Sequence, residues 1–122
     1  TNIAAGQHEH AEYLVQQGAA IRFVELMKSP IQRLREQACW ALGNLAGDCA
    51  ALRDEVLAAG AMQAVLEVLQ PTDAKLSAVK TATWTMSNLC RGKPPPPFNE
   101  VRNVEDSKHA IFSSLSVLNV QT

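Results

Sequence analysis

Two tryptophan–asparagine pairs carry the strongest chemical signal in the sequence. In QACWALGNLAGD (37–48) Trp40 precedes Asn44 by four residues, and in TATWTMSNLCRG (81–92) Trp84 precedes Asn88 by the same interval. A further asparagine, Asn2 in TNIAAG (1–6), stands 42 residues before Asn44. A carboxamide can donate to one backbone carbonyl and accept from one backbone N–H, so it can hold an extended chain without reading its side chains. An indole face attracts Lys or Arg heads and packs against their aliphatic stems, at roughly 0.5–2 kcal/mol per contact. Asp48, one turn beyond Asn44, can pair with an ammonium at the end of such a slot. A single Trp on a helix is as often a core residue. Asn inside a helix is harder to dismiss, because its side chain competes for backbone hydrogen bonds. A buried Asn needs partners, and a face open to a peptide would supply them.

These residues must be positioned by repeated elements. EYLVQQGAAIRFVELM (12–27) aligns with DEVLAAGAMQAVLEVL (54–69) at an offset of 42, and the two Trp–Asn segments align at an offset of 44. Each unit therefore reads as a short helix, a glycine turn, a second helix, a turn and a longer third helix. Gly18 and Gly60 suit the left-handed position that ends a helix. Ser29–Pro30 and Gln70–Pro71 punctuate the approach to the third helix. Units of roughly 40–47 residues with two or three helices are the armadillo and HEAT class, and three helices favour armadillo. At about 100° per residue, Leu34, Ala38, Ala41 and Leu45 share a stripe expected to face the core. Gln37, Trp40, Asn44 and Asp48 share another. Stacked third helices would join such stripes into one concave ladder.

Composition narrows the alternatives. Apolar residues make up 47% and aromatics only 5%, which suits packed helices. Eleven basic residues against 12 acidic ones argue against a general nucleic-acid binder. Cys39, Cys49 and Cys90 form no CxxC pair, so neither a disulfide framework nor a zinc site is expected, and a reducing compartment is the natural inference. No apolar run reaches the roughly 20 residues needed to span a bilayer. Gly92–Lys93 is not a phosphate loop, since Pro94 stands where Ser or Thr is required. His8 and His10 read as a solvated loop rather than metal ligands. Cys39 and Cys90 are expected to pack rather than react. Pro94 to Pro97 read as a short, stiff polyproline linker. No nucleophile–base constellation is recognisable, so the expectation is a binding protein, not an enzyme, with no cofactor and no metal.

REQACWALGNLAGD (35–48), ATWTMSNLCRGKPPPPF (82–98) and TNIAAG together resemble the importin-α (karyopherin-α) family, in its second to fourth armadillo repeats. The resemblance runs from residue 1 to about residue 100. It implies an all-α, right-handed superhelical solenoid, here about two and a half repeats. It further implies recognition of Lys/Arg-rich nuclear-localisation signals, held extended on the concave face. Trp40 and Trp84 would form slot walls, and Asn2, Asn44 and Asn88 would hold the peptide backbone. Asp48 matches the acid that pairs with the signal's critical lysine, Gly6 would offer its carbonyl beside that lysine, and Gln37 matches a polar contact. Ala11 departs from the pattern, standing where the family has a threonine that helps hold the same lysine.

The family's basic N-terminal segment, through which importin-β would bind, has no counterpart in this sequence. The implied partners are thus basic signal peptides of cargo proteins, with no nucleic acid and no membrane, for a protein shuttling between cytoplasm and nucleus. The expected organisation is residues 1–6 as the end of one repeat, 7–47 and 48–93 as the next two, and 94–98 as a Pro-rich linker. Residues 99–122 form a divergent tail in which Ile111, Phe112, Leu115 and Leu118 can share one helix face. That tail supports an alternative: an armadillo scaffold outside transport, or a degenerate, truncated importin-α-like product without cargo binding.

Overall fold

A computed structural model describes residues 8–70 and 75–97. Asn2, Gly6, the segment 1–6, Phe98 and the tail 99–122 lie outside the described residues. All regular structure among the described residues is helical: α1 (His8–Gln16), α2 (Ala19–Leu26), α3 (Gln32–Asp48), α4 (Ala50–Ala58), α5 (Ala61–Leu69) and α6 (Leu76–Cys90). The order is short, short, long, then short, short, long. Two helix triplets therefore follow one another along the chain, as the internal repeat requires.

The turns explain the period. Gly18 and Gly60 adopt φ of 84° and 94°, each between the two short helices of its triplet. A residue with a Cβ would pay for that conformation, so the glycines fix where the first helix stops. At the next turn the Ser29 hydroxyl accepts from the Ile31 N–H at 3.1 Å, and Arg35 donates to the Ser29 carbonyl at 2.7 Å. These bonds satisfy groups left orphaned by the break at Pro30.

The core runs through the middle of α3. Ala41, Leu42 and Leu45 are fully buried there, because α2, α4 and α6 all pack against this helix. Val56 and Leu57 of α4, Val65 of α5 and Leu89 of α6 complete the interior. Ala38, Ala41 and Leu45 are core residues as their spacing predicts. Leu34 is not: it is 37% exposed. It sits in the first turn of α3, before the flanking helices close around it, and helical period alone does not show where along a helix that cover begins.

One buried charge holds the end of the second triplet. Arg53 is 1% exposed, donating from Nε and Nη2 to the Asp54 carboxylate at 3.0 and 2.8 Å, and from Nη1 to the carbonyls of Arg91 (2.9 Å) and Pro94 (2.7 Å). A guanidinium is buried tolerably only when its donors are satisfied in this way. Gly92 lies against it, with φ of 106°, and a Cβ there would come within 3.0 Å of Arg53 Nη1. The start of the proline-rich segment is thereby fastened to α4.

Candidate functional site

The long helices α3 and α6 lie side by side, and polar rungs fix their register. Ser77 donates to the Glu36 carboxylate at 2.7 Å, Thr85 Oγ1 to the Cys39 carbonyl at 2.9 Å, and Asn88 Nδ2 to the Gly43 carbonyl at 2.9 Å. Thr85 and Asn88 are buried, at 0% and 3% exposure. The carbonyls they reach already serve α3 as helix acceptors and use their second lone pair here.

Close approach depends on two glycines. A Cβ on Gly43 would lie 2.4 Å from Trp84 Cζ3 and 2.7 Å from Thr85 Oγ1, and one on Gly47 would lie 2.9 Å from Asn88 Nδ2. The Trp84 indole therefore rests on the bare backbone of α3. Glycine inside a helix costs about 1 kcal/mol against alanine. Two glycines four residues apart were a legible sign that something presses on that face, and the sequence reading missed it.

Of the expected site residues within the described chain, Gln37, Trp40, Asn44 and Asp48 lie along α3, and Trp84 and Asn88 along α6. Trp40 and Trp84 are each 40% exposed, Gln37 and Asp48 are exposed, and Asn44 is half-buried. The two indoles thus keep open faces instead of filling the core. The asparagines differ. Asn88 has its donor met by Gly43, an internal partner where the sequence reading looked to a peptide for one. Asn44 Nδ2 is shielded from solvent and has no hydrogen-bond partner among the described residues. An orphaned buried amide is uncommon and costs roughly 1–3 kcal/mol.

Asp48 closes α3 and is met by His8 from the first turn of α1, whose Nδ1 bonds the Asp48 carboxylate. That hydrogen bond, aided by the negative charges of Asp48, Glu12 and Glu9, raises the His8 pKa above its ordinary value. Glu12 lies on the other side of the ring, 3.6 Å from Nε2. An imidazole therefore stands where the sequence reading expects a lysine. His8 and His10 belong to a helix rather than a loop, because α1 begins at His8. Two residues apart on a helix, they face different ways and do not chelate as a pair. Ala11 is fully buried.

The cysteines divide likewise. Cys39 is buried, and desolvation pushes its thiol up to about 11. Cys90, expected to pack, is exposed as the last residue of α6. A cavity of about 350 Å³ opens elsewhere, among Met27, Arg35, Glu36, Cys39, Val68 and Lys75. None of Gln37, Trp40, Asn44, Asp48, Trp84 and Asn88 lines it. No helix among the described residues is long and apolar enough to cross a membrane.

Comparison with known proteins adds the following. A family model described as "Armadillo/beta-catenin-like repeat" matches residues 7–47 and 49–91. Importin subunit alpha-1b of Oryza sativa subsp. japonica is 50% identical over 102 residues, covering 84% of this chain and 19% of the relative. Importin subunit alpha-2 of Arabidopsis thaliana is 51% identical over 102 residues, with the same coverage of 84% and 19%. The chain thus spans about a fifth of the length of these relatives. Among solved structures, a designed armadillo repeat protein in complex with the peptide (KR)4 superposes with a TM-score of 0.73 over 88% of this chain and 42% of that one. At 22% identity the likeness speaks for the fold alone.

Proposed function

The chain belongs to the armadillo-repeat family and resembles importin subunits alpha, and from that premise we propose that it is a cargo-binding part of a nuclear import adaptor. Its ligand is a Lys/Arg-rich segment of another protein, lying extended across α3 and α6. The observation that carries this reading is the pair of open indole faces, Trp40 and Trp84, each 40% exposed on adjacent long helices. Basic stems fit between and beside the rings, with their charged heads attracted to the indole faces. The Asn44 amide, without a partner among the described residues, can donate to a peptide carbonyl. Asn88, tied to Gly43, contributes chiefly by holding the Trp84 helix in place. Asp48 takes an ammonium once His8 yields it. Gln37 lies on the same stripe, and by the resemblance Asn2 and Gly6, which fall outside the described residues, would contribute to the same site. Binding by backbone contacts and charge involves no bond making, so the role is transport rather than catalysis. It implies shuttling between cytoplasm and nucleus.

A second reading, an armadillo scaffold that takes no basic cargo, is favoured by one observation: the acid of the stripe is engaged by His8, beside a buried Ala11 with no hydroxyl. Fluorescence separates the two, because both tryptophans of the chain lie on the stripe. Titration with a Lys-rich peptide is expected to change the emission saturably, with an affinity that falls as salt is raised. A change equally strong with an uncharged peptide of the same length would favour the scaffold.

A further inference from the structure

The end of α3 brings together three side chains of different chemistry. His8 comes from the first turn of α1, Asp48 is the last residue of α3, and Cys49 joins α3 to α4. The His8 imidazole nitrogen, the Asp48 carboxylate oxygen and the Cys49 sulfur all lie within 4.8 Å of one another. Nothing in the peptide-binding reading uses Cys49, and sequence spacing hid the cluster, since His8 and Asp48 are 40 residues apart.

We propose that His8, Asp48 and Cys49 form a binding site for a divalent transition-metal ion of the zinc type. Nitrogen, carboxylate and thiolate are the donor set of a borderline-soft ion, and they exclude Mg2+ and Ca2+, which take oxygen. Around a tetrahedral Zn2+ with bonds of about 2.0–2.3 Å, neighbouring donors sit roughly 3.5 Å apart. To reach that spacing His8 and Asp48, now in hydrogen-bond contact, must move apart while Cys49, within 4.8 Å of both, draws closer, a movement on the order of 1 Å. His8, an exposed side chain, can supply its part by a small change of rotamer. Three protein donors leave a fourth position for water.

The surroundings support the assignment independently of the donors themselves. Glu12, one helical turn from His8, approaches the opposite ring nitrogen at 3.6 Å. A metal bound at Nδ1 requires the proton on Nε2, and a carboxylate at that nitrogen fixes this tautomer and orients the ring. On binding, the ion displaces the Nδ1 proton shared with Asp48 and the Cys49 thiol proton, so uptake releases protons. The site stands on this geometry whether or not the stripe binds basic peptides. If it does, the metal and a lysine compete for Asp48.

Cobalt titration of the whole chain tests the proposal. Co2+ should bind saturably at about one equivalent, with visible ligand-field bands and a near-ultraviolet thiolate-to-cobalt band, and Zn2+ should displace it. Cys49→Ser should abolish the thiolate band, leaving Cys39 and Cys90 unable to restore it. His8→Ala, at an exposed position that leaves the fold intact, should weaken the metal at least about tenfold, and Glu12→Gln by about ten- to a hundredfold. A folded chain that gives no thiolate band, or a band that survives Cys49→Ser, overturns the assignment.

Discussion

The stripes on α3 and α6 are two copies of one motif in different surroundings. On α6, Asn88 is buried and its amide is spent on the Gly43 carbonyl, while Thr85 binds the Cys39 carbonyl and the Trp84 ring rests on Gly43. On α3, Asn44 is half-buried with an amide that has no partner among the described residues. The α3 stripe ends in Asp48 with His8 against it, whereas α6 ends in the exposed Cys90. The same Asn four residues after a Trp therefore serves as a clamp between helices in one copy and, in the other, has a donor without a partner among the described residues. Recurrence of a motif identifies a surface, but the neighbouring helix decides what each copy has left to offer a ligand.

Four substitutions break or sharpen this contrast, the most damaging first. Gly43→Val drives a branched side chain into the Trp84 ring and Thr85, and should lower stability by about 3 kcal/mol in chemical denaturation. Loss of the ring's seat should also blunt the fluorescence response to peptide.

Next, the two asparagines should behave oppositely. Asn88→Ala removes a buried bond and should lower stability by about 1.5 kcal/mol, seen as a drop of several degrees in Tm. Asn44→Ala removes an amide that satisfies nothing among the described residues. It should leave stability within about 0.5 kcal/mol of the parent while weakening a bound basic peptide. Equal stability losses at both positions would erase the distinction.

The smallest effect is expected at Asp48. His8→Ala frees the carboxylate and should tighten a Lys-rich peptide by about two- to fivefold, the scale of an exposed ion pair. A looser complex would mean that His8 contacts the peptide instead of competing with it.

Much of the fold was legible because it rests on local rules. The period of 42, the turn glycines Gly18 and Gly60 and the stop at Ser29–Pro30 define each helix from its own residues. What escaped depends on contacts between distant segments. Leu34 matches the core spacing yet lies beyond the cover of its neighbours. Arg53 looks like a surface residue until the Arg91 and Pro94 carbonyls are brought to it. The stripe itself was found from spacing, but the separate fates of Asn44 and Asn88 were not, because only the packing of α6 on α3 shows which amide is engaged. His8 was hidden for the same reason: its partner is the end of a helix 40 residues away.

The most direct test is calorimetric titration of the chain with a Lys-rich peptide, beside a Trp40→Ala, Asn44→Ala double variant of unchanged helical content. Neither change opens a cavity in the core, so the variant reports on the groove. The account predicts saturable binding by the parent, weakening with salt, and a loss of at least about tenfold in the variant. A folded parent that fails to bind, or a variant that binds as tightly as the parent, would contradict it.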